Sequence, residues 1–295
     1  DTDEALDLKE APESLVIIGA DYIGVEMAQI FSSFGSKVTV VERKETAIEV
    51  VDSEVSSILI KSLEKSGIKF IFGKEITEIS GEKVLAGSEE VASAKVILLT
   101  TREADLTALK DVKLEVSNGN VVANDKMQSS LKNVYVPGDV NGKKLLAHAA
   151  FKMGDIAASE IVEGKSDKYN NNIIPRAIYT YPEIGSVGLT EEEAKKSYDV
   201  KVGKFNYGAN GRALAHGDSS GMVKIISDAR YGEILGAHIV GPRASELINE
   251  VSILMQSEVI VEEAIKMVFG HPTFSEAIYE AIADVEGVSV HLPKK

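Results

Sequence analysis

The chain has 295 residues, 44% apolar and 26% charged, with a formal net charge of −14 and no cysteine. Such a composition belongs to an ordinary globular protein with room for two cores, and the negative charge argues against non-specific binding to nucleic acid or an anionic membrane. No apolar run approaches the ~20 residues of a membrane span, and the acidic start Asp1-Thr2-Asp3-Glu4 does not read as a signal peptide. Without cysteine, disulfides, thiolate metal sites and dithiol chemistry from within this chain are excluded. The compartment is not fixed by this, and cytoplasmic is the default.

Strand and helix signals alternate at first. Leu15-Val16-Ile17-Ile18 is a short apolar run, as a parallel strand buried on both faces requires. A helical pattern follows from Tyr22 to Phe34, ended by Gly35, and Lys37 to Val41 reads as a second strand closed by Glu42. Asp52-Ser53-Glu54 opens another helix that runs to Gly67, and residues 68–72 form a third strand. A hairpin is predicted over residues 76–85, turning at Gly81-Glu82, then a buried strand over residues 96–99. This order predicts a doubly wound, Rossmann-like α/β sheet.

Beyond Lys110 the pattern changes. Val121-Val122 and residues 133–136 read as short strands, residues 146–162 as a helix, and residues 164–172 as a polar linker. Strands then dominate, over residues 177–181, 200–206, 221–227 and 234–240, before helices over residues 245–256, 261–267 and 274–285. Strands first and helices last predict an α+β domain. Glu191-Glu192-Glu193 after Thr190 reads as a solvated helix start.

Gly19-Ala20-Asp21-Tyr22-Ile23-Gly24 lies between strand and helix, where a G-x-G-x-x-G loop belongs. All six residues, with Glu42 beyond them, are candidate dinucleotide contacts. Gly19 makes the tight turn, the helix N-terminus offers free N–H groups to a pyrophosphate, and Glu42 suits the ribose hydroxyls of NAD. The middle glycine is replaced by Asp21. A carboxylate there adds bulk and repels a dianionic pyrophosphate by ~1–4 kcal/mol, about one to three orders of magnitude in affinity. The alternative is a fold that kept its topology and lost the ligand.

His271-Pro272-Thr273-Phe274-Ser275-Glu276 supplies a histidine and a carboxylate on a loop-to-helix platform, where Glu276 holds one ring nitrogen and the other faces a substrate. His148, His216, His238 and His291 are not spaced as metal ligands, and no metal is implied.

Together these segments resemble the class I pyridine nucleotide–disulfide oxidoreductases, in particular the dihydrolipoyl dehydrogenases. His271 and Glu276 resemble that family's catalytic dyad, which serves a redox-active cysteine pair across a two-fold axis. Gly138-Asp139, after Asn133 to Pro137, resembles the segment whose aspartate contacts FAD, and Leu146, Ala147 and His148 resemble the stretch along the flavin edge. Arg102 is what the chain keeps of a family Gly-Arg-x-Pro-Asn stretch. Residues 179–188 and 234–238 resemble markers of the dimerisation domain. The resemblance implies a Rossmann-like NAD-binding domain over residues 1–110, the tail of a flavin domain over 111–165, and an α+β dimerisation domain over 173–295. It implies FAD and NAD as cofactors, a homodimer, and a lipoamide-bearing acyltransferase of a 2-oxo acid dehydrogenase complex as partner. It covers only the latter two-thirds of a full-length member, without the FAD loop and cysteine pair. The expectation is therefore a truncated chain, inactive alone. The alternatives are a non-catalytic dimeric NAD-binding or assembly module, or a relative of glutathione or mercuric reductase.

Overall fold

The computed structural model describes residues 1–80, 83–92, 95–98 and 103–293. They form two compact units, Asp1–Thr100 with Pro175–Lys295, and Thr101–Ile174. The first unit begins with α1 (Thr2–Leu6), β1 (Ser14–Ile18), α2 (Tyr22–Ser33), β2 (Lys37–Val41), α3 (Ser53–Lys65) and β3 (Lys69–Ile71). A meander of β4 (Ile76–Ser80), β5 (Lys83–Ala86) and β6 (Glu89–Ala92) leads to β7 (Lys95–Leu98). The parallel sheet runs β3-β2-β1-β7.

Burial explains this layering. Helices α2 and α3 lay Val25, Ala28, Phe31, Val55, Leu59 and Leu63 against Leu15, Ile17, Val38 and Val40, each such side chain contributing about 1.5–3 kcal/mol when fully buried. The opposite face departs from the doubly wound expectation. Among the described residues no helix covers it; Val84, Ala86 and Val91 of the meander meet Val16, Val41 and Ile71 there. The predicted turn at Gly81-Glu82 lies outside the described residues. Glu89 and Glu90 give β6 a polar sequence, although its Val91 is buried.

The second unit contains a hairpin of β8 (Val116–Ser117) and β9 (Asn120–Val121), and α4 (Ala147–Glu163), which packs Ala149, Met153 and Ile156 against Met127 and Tyr169. The strand expected over residues 133–136 is reduced to one bridge between Gln128 and Tyr135. Asn133 adopts φ +63° and the Val134 N–H bonds back to the Leu131 carbonyl at 3.2 Å, so the chain turns there. The expected linker is anchored too: Tyr169 is buried, and its N–H donates to the Asp125 carbonyl at 2.9 Å.

The first unit resumes with β10 (Arg176–Ile178), β11 (Glu183–Gly188), α5 (Glu191–Ala194), β12 (Val200–Asn206), α6 (Gly211–His216), β13 (Met222–Asp228) and β14 (Ile234–Gly241). Helices α7 (Ala244–Gln256), α8 (Val261–Ala264) and α9 (Glu276–Val285) complete it. The antiparallel order is β10-β11-β14-β13-β12. Helix α8 ends three residues short of its expected limit, and α9 begins at Glu276 rather than Phe274. Strand β11 was missed because Gly185 and Gly188 dilute its signal. Helix α9 lies directly on β12, where a Cβ at Gly203 would stand 2.0 Å from the Ala281 carbonyl oxygen.

Lys224 joins this sheet to α3. Its ammonium, on a side chain only 3% exposed, donates to Asp52 at 2.8 Å, Glu191 at 2.7 Å and Glu54 at 3.2 Å. Glu191, expected to be a solvated helix start, is thus drawn to the buried Lys224, while Thr190 and Glu193 form a capping box. Burial alone would lower the Lys224 pKa, and the three carboxylates reverse the direction. Lys224→Met leaves Asp52 buried without its cation, so unfolding in urea is expected to show a loss of about 3–5 kcal/mol.

Candidate functional site

The loop from α8 to α9 presents His271. Its Nδ1 lies 2.7 Å from Glu276 Oε1, while Glu276 Oε2 accepts the Thr273 N–H at 2.7 Å. Glu276 is the first residue of α9, so its charge also meets the favourable end of the helix dipole. The loop is braced from outside: Asn210 Nδ2 donates to the Thr273 carbonyl at 3.0 Å, and the Ser275 hydroxyl donates to Glu250 at 2.7 Å. The Thr273 hydroxyl donates to the Gly270 carbonyl at 2.7 Å.

Burial pushes the Glu276 carboxyl up, but the His271 ring and the Thr273 N–H outweigh it and hold the group below its ordinary range. An ionised carboxylate only accepts hydrogen bonds, so the ring proton of neutral His271 is assigned to Nδ1 and Nε2 carries a lone pair. The His271 side chain is 73% exposed and Glu276 17%. An anchored carboxylate and an open imidazole are suited to moving a proton between Nε2 and a ligand.

A second pair lies one turn further along α9 and was not visible in the sequence. The Glu280 side chain is 3% exposed, and its Oε1 lies 2.7 Å from His291 Nδ1. Its Oε2 accepts from the Ser289 hydroxyl, the Val290 N–H at 3.0 Å and the His291 N–H at 3.2 Å. The four-residue spacing of Glu276 and Glu280 was legible, whereas the return of the tail that brings His291 was not. Burial pushes the Glu280 carboxyl up, and these donors outweigh it. His238 is fully buried and neutral in character: Nδ1 accepts the Asp52 N–H at 3.2 Å, which leaves Nε2 to donate to the Leu189 carbonyl at 3.1 Å.

The β1–α2 loop brings together Gly19, Ala20, Asp21, Tyr22, Ile23, Gly24 and Glu42. Gly19 turns at φ +113°, and Glu42 spans the loop, accepting the Ala20 N–H at 2.8 Å and the Lys44 N–H at 3.0 Å. Asp21 caps α2, its Oδ1 accepting the Gly24 N–H at 2.9 Å. The guanidinium of Arg176 stacks 4.8 Å from the centre of the Tyr22 ring, and its Nη1 is buried without a hydrogen-bond partner. Helix α2 is tied to the 179–181 segment, where Glu26 accepts the Tyr179 N–H and Gln29 accepts the Tyr181 N–H, each at 2.7 Å. In the second unit Asp139 is exposed and, with Asn120 and Leu145, lines a cavity of about 340 Å³. Leu146 immediately precedes α4, and Ala147 and His148 are its exposed first residues. Arg102 lies outside the described residues.

The first unit thus joins a parallel sheet with a glycine-bearing β1–α2 loop to an antiparallel sheet backed by helices. The chain belongs to the pyridine nucleotide-disulphide oxidoreductase family: residues 1–154 match that family's model, and residues 174–282 match the model of its dimerisation domain. The family's cofactors are FAD and NAD(H). It is 35% identical over 300 residues to a dihydrolipoyl dehydrogenase of Bacillus subtilis, covering 99% of this chain and 65% of that protein. It is also 35% identical over 302 residues to the mitochondrial dihydrolipoyl dehydrogenase of Pisum sativum, covering 98% of this chain and 60% of that protein. The Cu(II) complex of the HOCl-induced flavoprotein disulfide reductase RclA from Escherichia coli superposes with a TM-score of 0.87 at 27% identity, covering 96% of this chain and 66% of that one. The chain thus spans less than two-thirds of the length of these curated relatives. Among the described residues no helix is long and apolar enough to cross a membrane.

The buried Glu280 anchor gives a signed pH dependence. A carboxyl held below its ordinary value of 4.5 in the folded state stabilises above that value and loses its contribution as the pH falls through the folded pKa. Glu280→Gln is therefore expected to cost about 1.5–3 kcal/mol at neutral pH. In urea melts against pH, that deficit is expected to shrink as the solution becomes acidic.

Proposed function

We propose that this chain is the NAD-binding, flavin-tail and interface part of an FAD- and NAD-linked disulfide oxidoreductase that acts on dihydrolipoamide, as a homodimer in the cytoplasm. Residues 1–110, 111–165 and 173–295 are assigned to those three parts. The observation that carries the reading is the 2.7 Å contact between His271 Nδ1 and Glu276 on an exposed, braced loop. The dihydrolipoyl dehydrogenase relatives, at 35% identity, support the substrate. Tyr179, Tyr181, Ile253 and Val268 support a covered face, because all four are exposed within the segment that matches a dimerisation domain. A lipoamide-bearing acyltransferase of a 2-oxo acid dehydrogenase complex is the corresponding partner.

His271 Nε2 takes the proton of a dihydrolipoamide thiol, and Glu276 holds the imidazolium that results. The thiolate then attacks a disulfide, so that one sulfur–sulfur bond forms as another breaks and the departing cysteine sulfur leaves as thiolate. That disulfide comes from outside these 295 residues, which hold no cysteine. FAD and NAD, when bound, would supply the two-electron redox chemistry that the residues of this chain lack. Asp139, an exposed carboxylate beside a polar cavity, suits the hydroxyls of a flavin side chain. Leu146, Ala147 and His148 would lie along its ring, and Arg102 would contact NAD. Gly19, Ala20, Tyr22, Ile23, Gly24 and Glu42 suit the adenosine end of NAD, and Asp21 does not suit its pyrophosphate. The lack of cysteine favours a second reading, a dimeric NAD-binding module without catalysis.

The chain alone is expected to give no dihydrolipoamide-dependent NAD reduction. Supplied with a separately expressed segment carrying FAD and a cysteine pair, it is expected to turn over, and His271→Gln to lower that rate by about 10²–10⁴-fold. Turnover by the chain alone, or a rate indifferent to His271→Gln, contradicts the proposal.

A further inference from the structure

The β1–α2 loop already holds an anion of its own. Helix α2 has 12 residues and, like any helix, leaves its first N–H groups without intrahelical partners. In dinucleotide folds those groups and the helix dipole receive the pyrophosphate. Here the Asp21 carboxylate receives the Gly24 N–H at 2.9 Å, with the backbone extended at φ −75° and ψ −175°. A second loop amide, Ala20 N–H, is taken by Glu42 at 2.8 Å. The charge of Asp21 also reaches along the helix: Glu26 is pushed up first by burial and further by that neighbouring anion.

The two carboxylates are not equivalent. Each Glu42 oxygen accepts one N–H, at 2.8 Å and 3.0 Å, and an ionised carboxylate has about four acceptor positions. Glu42 therefore keeps capacity for ribose hydroxyls. Asp21 offers a phosphate only a negative charge at the point where a phosphate needs donors.

We propose that Asp21 is an internal substitute for the pyrophosphate, so that the loop recognises the nucleoside end of its ligand and draws no affinity from the phosphates. This rests on reading residues 1–110 as a nucleotide-binding domain. The class of ligand that follows is a nucleoside, held by its ribose diol at Glu42, with charged phosphates contributing repulsion.

Calorimetry on the 295-residue chain with adenosine, ADP-ribose and NAD tests this, alongside Asp21→Gly and Asp21→Asn. The Gly exchange removes carboxylate and cap at little cost to the helix, and the Asn exchange keeps a cap without charge, so both are expected to fold. For the unmodified chain, NAD and ADP-ribose are expected to bind no more tightly than adenosine. Asp21→Gly is expected to tighten NAD and ADP-ribose by about ten- to a thousandfold and to leave adenosine unchanged, with Asp21→Asn between the two. Measurable NAD binding that is equal in the unmodified chain and Asp21→Gly overturns this inference and leaves the NAD-domain reading standing. If neither adenosine nor NAD binds any of the three proteins, the domain reading falls and this inference falls with it.

Discussion

The ammonium of Lys224 is the point on which the first unit is hung. It sits on the middle of β13, almost out of water, and its charge is met by carboxylates from both sides of a seam: Asp52 and Glu54 at the start of α3, and Glu191 from α5. A lone ammonium there would be prohibitively costly, and three carboxylates without it would repel. The parallel sheet and the antiparallel sheet are thereby fixed to each other through α3. The other face of the antiparallel sheet is where Gly203 lets α9 lie against the strand. The carboxylate that orients His271 is the first residue of that helix, so the reach of the imidazole follows from packing decided a sheet's thickness away.

Carboxylates carry out much of the local wiring in this acidic chain. Glu183 accepts both the N–H and the hydroxyl of Ser245 at the start of α7, at 3.0 and 2.6 Å. Glu280 gathers the returning tail, Glu42 spans the glycine loop, and Asp21 and Glu276 each stand at the first turn of a helix. The last two show how one chemical device serves opposite ends. Glu276 faces outward from its helix and holds an imidazole ready for a ligand. Asp21 folds back onto its own helix and occupies the position a ligand's phosphate needs.

Much of this was legible in the residues. The alternation of apolar runs and amphipathic helices placed β1, α2, β2, α3, β13 and β14 nearly to the residue, because each is bounded by glycine, a cap or a charge. The spacing of His271 and Glu276 suggested their contact, since a proline-bearing loop entering a helix leaves few ways to arrange them. What escaped depended on distance along the chain. Strand β6 and strand β11 carry weak apolar signals and exist through their neighbours' hydrogen bonds. The partnership of His291 with Glu280 needs a tail to double back, and the use of Glu191 needs a lysine from a distant strand. Asp21 lay in between: its conflict with a phosphate was plain from its position, while its bond to the Gly24 N–H required coordinates.

The central claim is that the fold sets His271 in advance as a proton acceptor, with Nδ1 bound to Glu276 and Nε2 open. Nitrogen-15 NMR of the imidazole in the 295-residue chain reads this directly. The account predicts that neutral His271 carries its proton on Nδ1, and that Glu276→Ala releases it to the mixture of tautomers of a free histidine. A neutral ring protonated on Nε2 in the unaltered chain, or one indifferent to Glu276→Ala, would contradict it.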